Sequence, residues 1–213
     1  THYMALVNER DELDVYDGHL RVVSPSGEEV ARFHPRDYLD HIAEHVESWS
    51  YLKFPYLKKV GWKGITDGAE SGVYRVAPLA QLNASKAMQT PLAQAEREKL
   101  YDTLGGPVVH ATLAYHWARI IEMLQCSELV LRFSQDERLT DPHVRDVPTG
   151  TPREGVGCVE APRGVLLHHY RTDEQGMIQR ANLIVGTNHN YAPIQLSVKK
   201  AAQALLDGES APA

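Results

Sequence analysis

The stretch that begins at His110 constrains this chain more than any other. Apolar side chains fall at Leu113, Ala114, Trp117, Ile120, Ile121 and Leu124. That period, near 3.6, predicts one long amphipathic helix reaching the Phe133 region, with this stripe turned into the core. Elsewhere glycine and proline divide the chain into short strand-like and helical pieces. The predicted fold class is α+β: long central helices packed with a small antiparallel meander and a C-terminal strand–turn–strand.

Residues 1–33 read as the β meander. Leu13 to Tyr16 leads into Asp17-Gly18, a hairpin signal, followed by His19 to Val23, a turn at Ser24 to Gly27, and the alternating run Glu29 to Phe33. Pro35 suits a helical first turn, and Tyr38, Leu39, Ile42, Ala43 and Val46 follow at helical spacing, which predicts a helix over 35–47. Residues 51–80 read as a packed, aromatic loop with a short strand at Val73 to Val76 that Pro78 stops. Thr90 and Pro91 form an N-cap and first-turn pair that opens a helical core over 91–135. Residues 136–157 read as loop. A strand pair occupies 158–190, and a helix closes the pattern over 193–206.

Composition sets limits on function. Lys plus Arg number 22 and Asp plus Glu 28, a net charge of −6 that argues against non-specific nucleic-acid binding. Apolar runs are only a few residues long, so no membrane span is expected. Two cysteines, Cys126 and Cys158, build no disulfide framework and no CxxC, which fits a reducing compartment. No signal peptide is visible. The chain opens at Thr1 as if cut, and Asp207 to Ala213 reads as a linker or terminus, so a piece of something longer is expected.

Three motifs invite a metal or nucleotide reading. His41-Ile42-Ala43-Glu44-His45 matches the inverted zinc-protease pattern, and on a helix both imidazoles would share one face. No third ligand is marked, and the competing reading is the polar face of an amphipathic helix; no bound zinc is expected. His168-His169 are adjacent in a strand and point to opposite faces, so they do not share an ion. Gly155-Val156-Gly157 lacks the third glycine and preceding strand of a dinucleotide fingerprint. Cys126 and Cys158 have no activating neighbour in sequence and read as inert thiols.

The most informative segment is Gly155 to Asn190. Pro162 fixes the backbone before Arg163, and Gly164 permits close approach after it. Taken alone, Arg163 reads as a structural salt bridge to Glu160 or another carboxylate. However, Glu160-Ala161-Pro162-Arg163-Gly164, with Leu166, His168 and the returning Thr187-Asn188-His189-Asn190, closely resembles a signature of nickel–iron hydrogenase large subunits. Glu44 to Tyr56, Tyr74 to Asn83 and His116 to Glu122 resemble the same family in its cytoplasmic, multi-subunit, NAD(P)-linked branch. The resemblance runs in order from about 3 to 206.

That resemblance implies a catalytic subunit that reversibly oxidises H2 to protons and electrons in the cytoplasm. Its implied partners are NAD(P)-handling subunits and an iron–sulfur small subunit. It implies a nickel–iron centre with cyanide and carbonyl ligands. The family's four metal-binding cysteines, in two CxxC pairs, are missing, so no metal ligand is expected in this chain and it should be inactive alone. By resemblance Arg163 would stand over the open metal position as the catalytic residue. Pro162, Gly164 and Thr187 would surround the metal pocket, with Arg163 and Thr187 on neighbouring strands. Glu160 and Asn190 would brace the strands. A metal-free scaffold or assembly module related to the hydrogenase protein is the first competing reading, and a zinc hydrolase using His41, Glu44 and His45 is the second.

Overall fold

The structure, a computed structural model, describes residues 1–208; the greater part of the C-terminal tail lies outside them. The fold is α+β. Its centre is β1 (His2–Val7), buried along its whole length. Because a strand's side chains alternate, β1 serves two cores at once. Tyr3 and Ala5 face a helical core, whereas Met4 and Leu6 face a core lined by strands. β1 pairs antiparallel with β2 (His19–Val23), which pairs with β3 (Glu29–Phe33). On its other edge β1 runs parallel to β6 (Tyr74–Arg75), giving the order β3-β2-β1-β6.

The meander differs from its sequence prediction at the start. The strand is 2–7, not 13–16, and the span 8–18 loops between β1 and β2. Asp17-Gly18 still turns the chain, with Gly18 at φ +132°. A Cβ there would lie 2.0 Å from the Val7 carbonyl oxygen, so glycine is required by the return of the chain against β1.

The predicted 35–47 helix is a correction. A 3₁₀ turn at Pro35–Asp37 runs into a single turn, α1 (Tyr38–His41), and then β4 (Ile42–Val46) pairs with β5 (Lys53–Leu57) as a hairpin. Spacing at 38, 42 and 46 suits a helix and fits a strand with alternate positions equally well. Tertiary pairing decides: Ile42 sits opposite Leu57 and His45 opposite Phe54, two buried partners. Tyr38 and Ile42 are buried as predicted, but Val46 is 61 % exposed.

The helical layer contains α2 (Pro78–Ala84), α3 (Pro91–Leu104) and α4 (Ala114–Ser134). Every residue of α2 is buried, and it packs on β1. The sequence hides this helix because Pro78 reads as a strand's end, whereas proline also fits the first helical turn. α4 is the predicted long helix, but its buried face is rotated. Ala114, Ala118, Ile121, Gln125 and Leu129 are buried, while Leu113 and Ile120 are exposed and Trp117 and Leu124 are half-buried. The alanines admit α2 closely, and Gln125 replaces missing backbone partners. Its Oε1 accepts from Gln89 N–H at 2.8 Å, and its Nε2 donates to the Leu13 carbonyl at 3.3 Å.

The second sheet is β7 (Glu154–Ala161), β8 (Gly164–Thr172) and β9 (Ile178–Ile184), antiparallel in that order. In sequence the first half of β7 reads as loop because of Gly155 and Gly157. Full pairing with β8, from Glu154↔Arg171 to Ala161↔Gly164, makes it a strand. The chain closes with the one-turn α5 (Gly186–His189) and α6 (Tyr191–Leu206). Among the described residues no helix is long and apolar enough to cross a membrane.

Candidate functional site

Register places Pro162 and Arg163 as the two-residue turn between β7 and β8. Three contacts hold that turn. Gly164 follows at φ +107°, and a Cβ on it would stand 2.3 Å from Val76 Cγ2 and 2.6 Å from the Ala77 nitrogen. Ala77 is itself left-handed, at φ 84°, immediately before Pro78 opens α2. A non-glycine residue in that region is strained, and here the strain sits opposite the turn that carries Arg163. Gly186 closes from the other side, because a Cβ there would lie 2.5 Å from the Arg163 carbonyl oxygen. Arg119 on α4 donates from Nη1 to the Pro162 carbonyl at 2.7 Å.

Asn190 ties these pieces together. Its Oδ1 accepts from Val76 N–H at 3.0 Å, and its Nδ2 donates to the Gly186 carbonyl at 3.2 Å. Thr187 lies in α5, not at the end of a strand, so the expectation of two neighbouring strands is corrected: Arg163 is in a turn and Thr187 in a helical turn. Both nevertheless line one cleft of about 340 Å³, together with Arg75, Arg119, Tyr115 and Asn190. Three arginines and no carboxylate border it. Arg75 is partly engaged, donating from Nε to Thr1 Oγ1 at 2.9 Å and from both terminal nitrogens to Ser197 Oγ at 3.3 Å. Arg163 is exposed and enters no ion pair among the described residues.

The predicted Arg163–Glu160 salt bridge is not formed. Glu160 turns inward, where its Oε1 accepts from Leu6 N–H at 2.8 Å and its Oε2 from Gln81 Nε2 at 2.9 Å. Burial pushes its carboxyl up to about 8, with the nearby charge of Glu122 adding to the effect and the two donors opposing it. Glu160 thereby pins β7 to β1 and α2. Gln81, Arg119 and Ala77 are parts of this construction that sequence reasoning does not single out, although they lie in stretches that resemble the family. Gln81 carries no signal of its own, since only folding sets it against β7.

The zinc pattern is taken apart by the fold. His41 ends α1 and stacks on Phe33 at 4.1 Å between ring centroids. His45 sits in β4, stacks on Trp62 at 4.6 Å and meets Glu47 at 3.1 Å. They share no helical face. His169 lies between Tyr38, at 3.0 Å, and Glu154, at 2.8 Å, whereas His168 meets Tyr170 at 2.9 Å.

A soft-metal pair needs thiolates. Cys126 is exposed on α4 and Cys158 half-buried on β7. Burial, then the neighbouring Glu160, pushes the Cys158 thiol up, which keeps it protonated and a poor ligand. Among the described residues no group of three or more His, Cys, Asp or Glu side chains stands together to hold a metal ion. The donor set of this chain does not fit a nickel–iron centre; what it builds is a rigid, cationic wall.

Comparison with known proteins gives that wall its family. A family model described as nickel-dependent hydrogenase matches residues 11–207. The chain belongs to the nickel-dependent hydrogenase family. It is 47% identical over 202 residues to an iron-sulfur subunit of the F420-non-reducing hydrogenase of Archaeoglobus profundus, covering 95% of this chain and 41% of that protein. It is 42% identical over 207 residues to the NAD-reducing hydrogenase HoxS subunit beta of Cupriavidus necator, covering 96% of this chain and 41% of the relative. Among solved structures, an NAD+-reducing [NiFe]-hydrogenase in the H2-reduced state superposes with a TM-score of 0.89 at 40% identity, over 99% of this chain and 45% of that one. The [NiFeSe]-hydrogenase of Dm. baculatum, at 18% identity and a TM-score of 0.56, shares the fold. This hydrogenase-family chain therefore spans less than half the length of these relatives.

Proposed function

We propose that this chain is part of the catalytic subunit of a multi-subunit hydrogenase that reversibly oxidises H2 to protons and electrons, and that it supplies one wall of the pocket around the nickel–iron centre. The observation that carries the reading is the clamped Pro162-Arg163-Gly164 turn, facing a cleft with three arginines and no carboxylate, in a chain of this family. The metals, with their cyanide and carbonyl ligands, would be held by thiolates that this chain does not contain, so the 213-residue chain alone is inactive.

In the proposed pocket Arg163 acts as a fixed positive charge. A guanidinium stays protonated, so its contribution is orientation and electrostatic stabilisation rather than proton abstraction. Its backbone is fixed on both sides by close contacts that only glycine permits, which spares reorganisation when charge develops. Pro162 has no N–H, and the Gly164 N–H belongs to the turn that closes β7 on β8; the donors proposed in this part of the wall are the Arg163 backbone and guanidinium and the Thr187 hydroxyl, which suit anionic acceptors. The exposed Leu113, just before α4, and Ile120, Met123 and Val130 on it are the face that the rest of the protein would cover. The proposed partners are NAD(P)-handling subunits and an iron–sulfur small subunit, and the proposed compartment is the cytoplasm.

The test uses the intact protein in which this stretch occurs, with nickel and iron analysis beside a hydrogen-uptake assay. CxxC pairs on both sides of the stretch and metal-dependent uptake support the reading; their absence would make the protein a scaffold. Arg163→Lys should lower uptake by orders of magnitude at unchanged metal content, because the planar fork is lost while charge is kept. Normal uptake in that variant would remove the role given to Arg163, and uptake by the 213-residue chain alone would overturn the assignment.

A further inference from the structure

At the end of the second sheet remote from Arg163, one row of charged side chains crosses all three strands. Register sets Glu154 of β7 opposite Arg171 of β8, and Arg171 opposite Arg180 of β9, so the three lie side by side on one face. The next row on that face is Val156, His169 and Asn182. Glu154 Oε1 accepts from Arg171 Nε at 2.7 Å and meets His169 Nε2 at 2.8 Å. Arg171 therefore has one acid, which it shares with a histidine, whereas Arg180 has none among the described residues. Like charges directly opposite each other in a sheet repel. β8 also shifts register between Arg171 and Thr172, an irregularity of the kind that re-aims a side chain and recurs beside binding sites.

The two arginines border a notch of about 30 Å³, walled further by Tyr38 and Leu39 of α1, His169 and Asn182. No carboxylate lines it. Its buried floor is satisfied internally: Asn182 Nδ2 donates to the Tyr38 hydroxyl at 3.1 Å, and that hydroxyl lies 3.0 Å from His169 Nδ1. The donors left free among the lining residues are the Arg180 guanidinium, the terminal nitrogens of Arg171 and the second N–H of Asn182. A space of this size admits the head of a small anion and no larger ligand.

We propose that this notch binds a carboxylate, gripped by the planar fork of Arg180, with Arg171 and Asn182 supplying the remaining donors. Bidentate arginine–carboxylate pairs are among the stronger charge-assisted hydrogen bonds. A carboxylate placed here also relieves the repulsion between the two facing arginines. A flat, two-oxygen head suits the notch better than a tetrahedral phosphate does. Either a free organic acid or an Asp or Glu side chain from a longer form of the protein carries that chemistry. Nothing in the inference depends on metals or on the hydrogenase reading.

Formate, the smallest carboxylate, is the probe. Titrated into the 213-residue chain at constant ionic strength, it should shift the side-chain NMR signals of Arg171, Arg180 and Asn182 saturably. Arg180→Gln should weaken that binding about tenfold or more, the loss expected for a hydrogen bond to a charged group. Arg145→Gln, at an exposed loop position, should leave it unchanged. Amide spectra report whether each variant is folded. Repeating the titration on the intact protein distinguishes the two sources. A retained formate response marks a site open to free acids; a lost response together with a lower Tm for Arg180→Gln marks a side-chain carboxylate already seated there. A lost response with Tm unchanged would overturn the proposal. So would the absence of saturable shifts in the 213-residue chain, an undiminished response in Arg180→Gln, or equally strong binding of inorganic phosphate.

Discussion

Replacing Gly164 with alanine tests the construction of the wall most directly. The residue sits at φ +107°, where an L side chain costs about 1–2 kcal/mol. Its new Cβ would meet Val76 Cγ2 at 2.3 Å and the Ala77 nitrogen at 2.6 Å. Neither neighbour can yield easily, since Val76 is fully buried and Ala77 is 7 % exposed. Overpacking of this kind costs about 1–3 kcal/mol. Gly164→Ala should therefore destabilise by roughly 2–5 kcal/mol, which lowers Tm by about 5–20 °C in a chain of this size. Calorimetry with near-ultraviolet circular dichroism measures it. The control is Gly157→Ala in the same hairpin, where no atom lies within 4 Å of the added carbon and φ is not left-handed; its effect should stay within about 0.5 kcal/mol. A loss below about 1 kcal/mol for Gly164→Ala, or equal losses in the two variants, would refute the close-approach argument and with it the fixed placement of Arg163.

Three further outcomes are expected. Ile121→Ala, at a position with no exposure, should cost about 2–5 kcal/mol, whereas Ile120→Ala, 58 % exposed, should cost less than about 0.5 kcal/mol; chemical denaturation distinguishes them, and equal costs would reverse the assigned face of α4. Burial lowers His189 from 6.5 to about 3, so the unfolded chain binds a proton that the folded chain refuses. Stability should fall as pH drops from about 6.5 towards 3, and His189→Gln should flatten that slope in urea titrations at stepped pH. Glu160 has the opposite sign: its carboxyl is raised from 4.5 to about 8, so its stabilisation is complete below about 4.5 and is lost as pH rises through 8. Glu160→Gln should remove that decline, and a pH-independent difference between the two proteins would contradict it.

How far the sequence led depends on whether each signal was local. Pro91 marked the start of α3 because its fixed φ suits a first helical turn; Thr90 stands at the N-cap, but its hydroxyl makes no capping bond, and Glu128 of α4 accepts from the Leu92 and Ala93 N–H groups instead. The stiffness of the Pro162-Arg163-Gly164 run was legible because it lies in the run's own backbone, whereas its being the turn between β7 and β8 came only from the pairing of those strands. The segment 42–46 was not, because its apolar spacing satisfies a helix and a strand alike, and only Phe54 and Leu57 across the hairpin resolve the choice. Gly155 and Gly157 hid β7, since a ladder partner can make a strand from residues that do not favour one.

The sequence by itself determined the α+β class, the one long helix, the family signature around Arg163 and the lack of thiolates for a soft-metal pair. All of these reside in residue identity or short-range spacing. Tertiary structure alone decided which face of α4 is buried, that Glu160 turns inward to Leu6 and Gln81 instead of pairing with Arg163, and that Arg75, Arg119 and Arg163 share one cleft. Those are contacts between residues tens of positions apart, selected by which surfaces fit and which buried polar groups find partners, and no window of sequence contains both sides of such a choice.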